Sequence, residues 1–220
     1  MTILKGRWKV RIEKVTNIPL TYGGRAEFMV QNVVAATLAC FVHGVSIEDL
    51  RVGLTTFNAG TAQTPGRLNF VEVGAGVTVL MDYAHNPAGM RGLVNFITKL
   101  PNKYRTCVLN GTGDRRDDDI REFAKIAGDN FDRIVIRRGN YLRGRTDEEM
   151  FQLLQEGIAQ SDNKPQVRVI IDSREAIAHA IKNGRKGELV VTLADRVPDD
   201  IRYVQEIRDE LQEKQNQATA

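Results

Sequence analysis

Asp82 and His85 stand three residues apart in Val77-Thr-Val-Leu-Met-Asp-Tyr-Ala-His-Asn-Pro87, where an apolar run gives way to a polar turn. A carboxylate accepts hydrogen bonds from hydroxyls and amides, and an imidazole exchanges a proton near neutral pH. Pro87 then opens a helical pattern, at the position where a missing N–H costs nothing. A strand end that delivers an acid and an imidazole beside a helix N-terminus suits an anionic or nucleotide ligand. The same residues also suit a plainer role, with Asp82 satisfying turn backbone and His85 acting as a structural hydrogen-bonder.

Two more polar loops follow apolar runs. In Gly111-Thr-Gly-Asp-Arg-Arg-Asp-Asp-Asp119 the glycines permit close backbone approach, and Arg115 and Arg116 offer forked donors for phosphate or carboxylate. Asp117 and Asp118 also suit the first turn of the next helix. The pattern is neither a dinucleotide fingerprint nor a P-loop. Arg137-Arg-Gly-Asn-Tyr-Leu-Arg-Gly-Arg145 carries four arginines, which fits either a solvated loop or an anionic ligand. His179 reads as a surface or packing residue.

The elements that must position these loops alternate regularly. Strands are expected at Leu68–Val73, Val77–Met81, Thr106–Asn110, Arg133–Ile136, Val167–Ile171 and Leu189–Leu193. Helices are expected at Pro87–Leu100, Asp117–Ala127, Asp147–Gln160, Arg174–Asn183 and Asp199–Glu213, with a fraying polar end from Gln212 to Ala220. Short apolar runs alternating with helices imply an α/β fold with a mostly parallel sheet covered on both faces. Gly74-Ala-Gly76 makes the first two strands an antiparallel hairpin at one edge. Ligands bind such sheets at the carboxyl ends of the strands, where all three loops fall.

The first part of the chain reads differently. Met1–Lys14 alternates apolar and basic residues and suggests a hairpin turning at Lys5-Gly6, marginal by itself in water. Ala26–His43 is a helix apolar nearly all round, which wants burial on several sides and puts Cys40 in a core. Ser46-Ile-Glu-Asp49 resembles a capping box with Asp in place of Glu, and starts a helix to Phe57. Asn58–Gly66 is a linker by composition, so residues 1–57 are expected to form the end of a larger domain and 67–220 a domain of their own.

Composition excludes several classes. Thirty-one basic against 28 acidic residues leave a net charge of +3, too little to argue for nucleic acid. No apolar run approaches the roughly 18–20 residues that span a bilayer, and no signal-peptide pattern opens the sequence. Two distant cysteines, Cys40 and Cys107, make no disulfide framework and fit a reducing cytoplasm.

Several motifs in order carry a resemblance. Asp82-Tyr-Ala-His-Asn-Pro87 resembles the signature of the C-terminal domain of Mur ligases and folylpolyglutamate synthases. Pro65-Gly-Arg67 is similar to the Gly-Arg at the hinge before that domain, and Val30-Gln-Asn-Val-Val-Ala-Ala36 to the Asn-bearing helix that ends the central ATPase domain. Gly113-Asp-Arg-Arg-Asp117 with Arg143-Gly-Arg145 resembles the Mur-type half of cyanophycin synthetases. The fold implied is a Rossmann-like Mur C-terminal domain, preceded by a helical and hairpin remnant of the central one.

The reaction implied uses ATP and Mg2+ to phosphorylate a carboxylate, which an amine then attacks to give an amide, ADP and phosphate. In cyanophycin synthetases the amine is arginine and the carboxylates belong to an aspartate polymer. The resemblance places Asn32 at adenine, Arg67 at the phosphates, Asp82 on the ribose side and Arg115 near the nucleotide. It places His85, Asn86, Arg143 and Arg145 toward the substrates, with Arg67 and His85 as the candidate catalytic residues. No Gly-Lys-Thr/Ser P-loop occurs in the sequence, so these residues alone are expected to be inactive and to work beside a chain that carries one. A non-catalytic nucleotide- or peptide-binding module is the alternative, and homo-oligomerisation stays open.

Overall fold

The computed structural model describes residues 1–219, which form two units: residues 1–59 with 95–100, and residues 60–94 with 101–219. In the first unit, β1 (Thr2–Lys5) and β2 (Trp8–Arg11) pair antiparallel around Gly6, whose φ of +60° explains the glycine. The hairpin is not left to itself. Ile3 and Ile12 pack with Leu50 of α2 (Ile47–Thr56), and Arg51 donates to the carbonyls of Arg11 (2.8 Å) and Ile12 (3.0 Å). Ser46 caps α2 by accepting from Asp49 N–H at 3.1 Å, while the Asp49 carboxylate takes the Ser46 hydroxyl at 2.7 Å. A Glu would reach back to the Ser46 backbone N–H; Asp is one methylene shorter, so only half of the box forms.

α1 (Glu27–Val42) buries only the stripe Met29, Val33 and Thr37 and leaves Val34, Leu38 and Val42 exposed. Cys40 is exposed as well, against the expectation of a core position: it continues the face of Val33 and Thr37, but there that face lines an open apolar groove.

The second unit is a six-stranded sheet in the order β3-β4-β8-β5-β6-β7. β3 (Asn69–Gly74) is antiparallel to β4 (Val77–Asp82), joined by the Gly74–Gly76 turn as expected. β8 (Glu188–Leu193), β5 (Tyr104–Leu109), β6 (Arg133–Ile136) and β7 (Gln166–Val169) continue in parallel. Val77, Val79, Met81, Val108, Val135 and Val190 face α6 (Ser173–Lys182) and α7 (Val197–Thr219), packing on Ala176, Ile177, Val204 and Ile207. Alternation then sends Leu80, Leu109 and Ile134 to the other face, where they are fully buried too. Burial on both faces is why the central strands read as continuous apolar runs.

Three helices complete the unit: α3 (Pro87–Ile97), whose last residues 95–97 cluster with the first unit, α4 (Asp117–Asn130) and α5 (Asp147–Ala159). Gly157 lets α5 meet α4: a Cβ there would lie 2.2 Å from the Arg121 carbonyl oxygen. α7 runs to Thr219, past the expected end at Glu213, because Gln212 to Thr219 contains no Gly or Pro to stop it; Ala220 lies outside the described residues. Among the described residues no helix is long and apolar enough to cross a membrane.

Candidate functional site

Since β4, β8, β5 and β6 are neighbours and parallel, their carboxyl ends share one rim. Asp82 ends β4, Asp195 lies just past β8, Asn110 just past β5 and Arg137 just past β6. The rim is built around Asp195. It accepts from Asn110 Nδ2 (3.2 Å), from the Asn140 backbone N–H (2.7 Å) and side chain (2.9 Å), and from Arg137 Nη2 (3.2 Å). Arg137 is fully buried and also donates to the carbonyls of Leu193 (2.7 Å) and Arg138 (3.0 Å), with Asp200 at 4.0 Å. The first arginine of the third loop therefore turns inward as a strut.

The second and third loops clasp each other. Gly113 N–H donates to the Tyr141 carbonyl (2.8 Å), and Arg145 returns the grip on the carbonyls of Gly113 (3.0 Å) and Arg115 (2.9 Å), with Asp117 at 2.7 Å. Arg143, at φ +47° on the loop tip, faces Asp114 at 3.5 Å and is exposed. Arg115 is half-buried beside Asp114 at 3.8 Å. Arg116 forks onto Asp119 (2.8 and 2.9 Å). A Cβ on Gly113 would lie 1.7 Å from the Leu142 carbonyl oxygen. Gly113→Ala is accordingly expected to part the two loops at a cost of about 1–3 kcal/mol, read as a lowered urea midpoint.

Asp82 is 6% exposed and accepts from the Leu68 N–H at 3.2 Å. Burial pushes its pKa up to about 6, although the Leu68 N–H, the Arg67 cation and the N–H groups of Ala84 and Tyr83 all favour the carboxylate. Leu68 is itself buried in the left-handed region, φ +50°, where a branched side chain is strained. The turn that imposes this is fixed by Asn69, which accepts from Gly66 N–H (2.7 Å) and donates to the carbonyls of Thr64 (2.9 Å) and Arg67 (3.1 Å). Arg67 is exposed, its guanidinium 5.0 Å from the centre of the Tyr83 ring.

The Tyr83 ring in turn lies 5.1 Å from that of His85. His85 Nδ1 is 2.9 Å from the Tyr83 carbonyl oxygen. A carbonyl only accepts, so Nδ1 carries the proton, and Nε2 is the acceptor in the neutral ring. Asn86 caps α3 through its Oδ1, 2.8 Å from Gly89 N–H.

Arg67, Asp82, His85 and Asn86 thus lie together around the turn before β3, and Arg115, Arg143 and Arg145 across the clasped loops. Asn32 belongs to the first unit, where it is exposed on α1 beside the apolar groove. Asp195 lies on a fourth strand-end loop, Ala194-Asp-Arg196, which is not among the three candidate loops of the sequence. An acid two residues past the mainly apolar β8 is the signal.

The description "Mur ligase, glutamate ligase domain" matches residues 66–196, from the turn before β3 past the end of β8. The chain belongs to the Mur ligase family. Among curated proteins this Mur domain is similar to the cyanophycin synthetase of Crocosphaera subtropica, 42% identical over 197 residues, covering 90% of this chain and 22% of that protein. The cyanophycin synthetase of a Nostoc species is 38% identical over 222 residues, covering 100% of this chain and 24% of that one. The chain thus spans about a quarter of the length of the curated relatives it matches. The E. coli FolC structure in complex with DHPP and ADP shares the fold at a TM-score of 0.62 and 20% identity, covering 81% of this chain and 39% of that one.

Complete members of the family use ATP. For the nucleotide, the residues present fit in part: a buried carboxylate at Asp82, an exposed cation at Arg67 and a half-buried one at Arg115. Among the described residues no group of three His, Cys, Asp or Glu stands close enough to hold a metal by side chains alone, an arrangement that Mg2+ carried on a nucleotide's phosphates does not require.

Proposed function

We propose that the chain serves an ATP-dependent, ADP-forming amide ligase that joins an amino acid, arginine by the likeness, to carboxylates of an aspartate polymer. The observation that carries this is the 38–42% identity to cyanophycin synthetases over 90–100% of the chain. Arg67, Asp82 and Arg115 would hold one side of the nucleotide, whose chemistry when bound is to activate a carboxylate as an acyl phosphate. Arg67 supplies positive charge where phosphoryl negative charge develops, and Asp82 accepts from hydroxyls. Closure of the hinge turn would exclude water from the activated acid. The cradle for the β- and γ-phosphates is not among these 220 residues, so turnover needs a P-loop supplied by further polypeptide.

One observation favours the second reading, a module that holds a ligand without turnover. An arginine substrate wants carboxylates, and of Asp147, Glu148 and Glu149 the first is taken by Arg138 and the last closes the Thr146 capping box, which leaves the exposed Glu148 alone.

Release of ADP separates the two. With ATP, aspartate polymer and arginine, the chain alone is expected to release none. With a P-loop-bearing polypeptide from a cyanophycin synthetase it is expected to turn over, and Arg67→Ala to slow that by about 10²-fold. Turnover by the chain alone, or an Arg67→Ala rate equal to wild type, would overturn the assignment.

A further inference from the structure

β7 is the last strand of the sheet, hydrogen-bonded to β6 on one side only. Gln166 and Ile170 donate toward β6, to the carbonyls of Asp132 (3.0 Å) and Ile136 (2.9 Å). Both main-chain groups of a strand residue point the same way and alternate along the strand, so those of Val167 and Val169 face outward. Val167, Val169 and Ile171 are 42%, 39% and 54% exposed. Natural sheets usually cover, shorten or charge such an edge. Here a shallow apolar groove floored by Ile158, Ala159 and Pro165 runs beside it.

The carboxyl end of the same strand enters a cleft of about 970 Å³ whose walls include Arg138, Arg168, Arg174 and Arg196 against two acids, Asp172 and Glu175. Asp172 is engaged as the cap of α6, accepting from Glu175 N–H at 2.9 Å. Arg138 and Arg196 are neutralised by Asp147 and Asp199. Arg168 and Arg174 have no carboxylate partner among the described residues, and Arg174 is held with its guanidinium 4.8 Å from the Tyr203 ring centre. The uncompensated charge is felt by His179 on the cleft wall: its pKa is lowered first by burial and then by Arg168 and Arg133.

We propose that the open edge of β7 and the arginine cleft at its end bind an extended acidic peptide, which adds a strand beside Val167 and Val169 and sets carboxylates against Arg168 and Arg174. Strand addition draws affinity from main-chain pairing, and the side-chain pockets give specificity. A nucleic acid fits less well, because a phosphodiester backbone has no amides to pair with the edge and the groove has no aromatic floor for bases. The proposal deepens the ligase reading by giving an acidic acceptor a place to lie, and rests on that reading only for the acceptor's role.

Fluorescence anisotropy with a labelled oligo-aspartate, in the absence of ATP, tests it. Binding that weakens with added salt is expected, and an Arg168→Glu/Arg174→Glu double variant should lose about tenfold or more in affinity. The same peptide N-methylated at alternate amides keeps its charge but cannot pair with the edge; on the unaltered protein it should lose a similar factor. Absence of binding, equal binding of the N-methylated peptide, or equal binding of a single-stranded oligonucleotide of matched charge would each overturn the proposal. The assay contains no ATP, so its failure leaves the ADP-release result to stand or fall separately.

Discussion

Replacing Arg137 by methionine is expected to destabilise the second unit by about 3–5 kcal/mol, the cost of leaving buried charge without its counter-charge. Arg137 is the largest fully buried side chain, and its guanidinium stands against Asp195 at 3.2 Å and Asp200 at 4.0 Å. Methionine replaces the stem but none of the three donated hydrogen bonds. Asp195 would keep Asn110 and Asn140 as donors, whereas Asp200, whose pKa is already raised by burial and held back by Arg137, would lose its cation. Urea unfolding at pH 7 reads the loss. Arg137→Met combined with Asp195→Asn and Asp200→Asn should recover part of it, since no carboxylate is then left unpaired. A loss under about 1 kcal/mol for the single change would mean that the rim does not depend on the buried ion pairs.

That arginine also marks the limit of what the sequence discloses. Periodicity suffices for the sheet: Val77–Met81 and Leu189–Leu193 are apolar but for one threonine each because both faces are covered, and Gly74-Ala-Gly76 can only turn tightly. Motif order suffices for the family. Composition does not tell which of four arginines in Arg137–Arg145 faces solvent, because Arg137 and Arg143 differ only in their distance from the strand end. Arg137, one residue past β6, is carried inward by the sheet; Arg143, on a left-handed loop tip, is carried out. Asn86 shows the same limit, since an amide before a proline that opens a helix looks alike as a cap or as a substrate contact until Gly89 is seen to claim its oxygen. Helix ends carried by polar residues, as in Gln212–Thr219, are set by the absence of a stop signal, which apolar periodicity does not register.

Asp82→Asn is expected to change how stability depends on pH, in a direction opposite to that of most carboxylates. The carboxyl of Asp82 titrates in the folded chain at about 6, against an ordinary value of 3.8, with burial as the leading cause. Between those values the folded chain keeps a proton that the unfolded chain has released. The contribution of Asp82 is therefore full below about pH 4 and is lost as the pH rises through 6, amounting to about 3 kcal/mol by pH 7. Asparagine carries no such charge and can still accept from Leu68 N–H. The variant should therefore gain about 3 kcal/mol on wild type between pH 4 and pH 7. Urea unfolding of both proteins at the two pH values measures this, and the difference between them cancels the titration of Asp200 and every other shared group. Two curves that stay parallel across the range would show that Asp82 is solvated in the folded chain. The same substitution should abolish most of the ADP release expected of the assembled ligase. A charge kept buried at a strand end at a cost to stability makes sense if a ligand hydroxyl is what it waits for, and asparagine, stable but neutral, would separate those two effects.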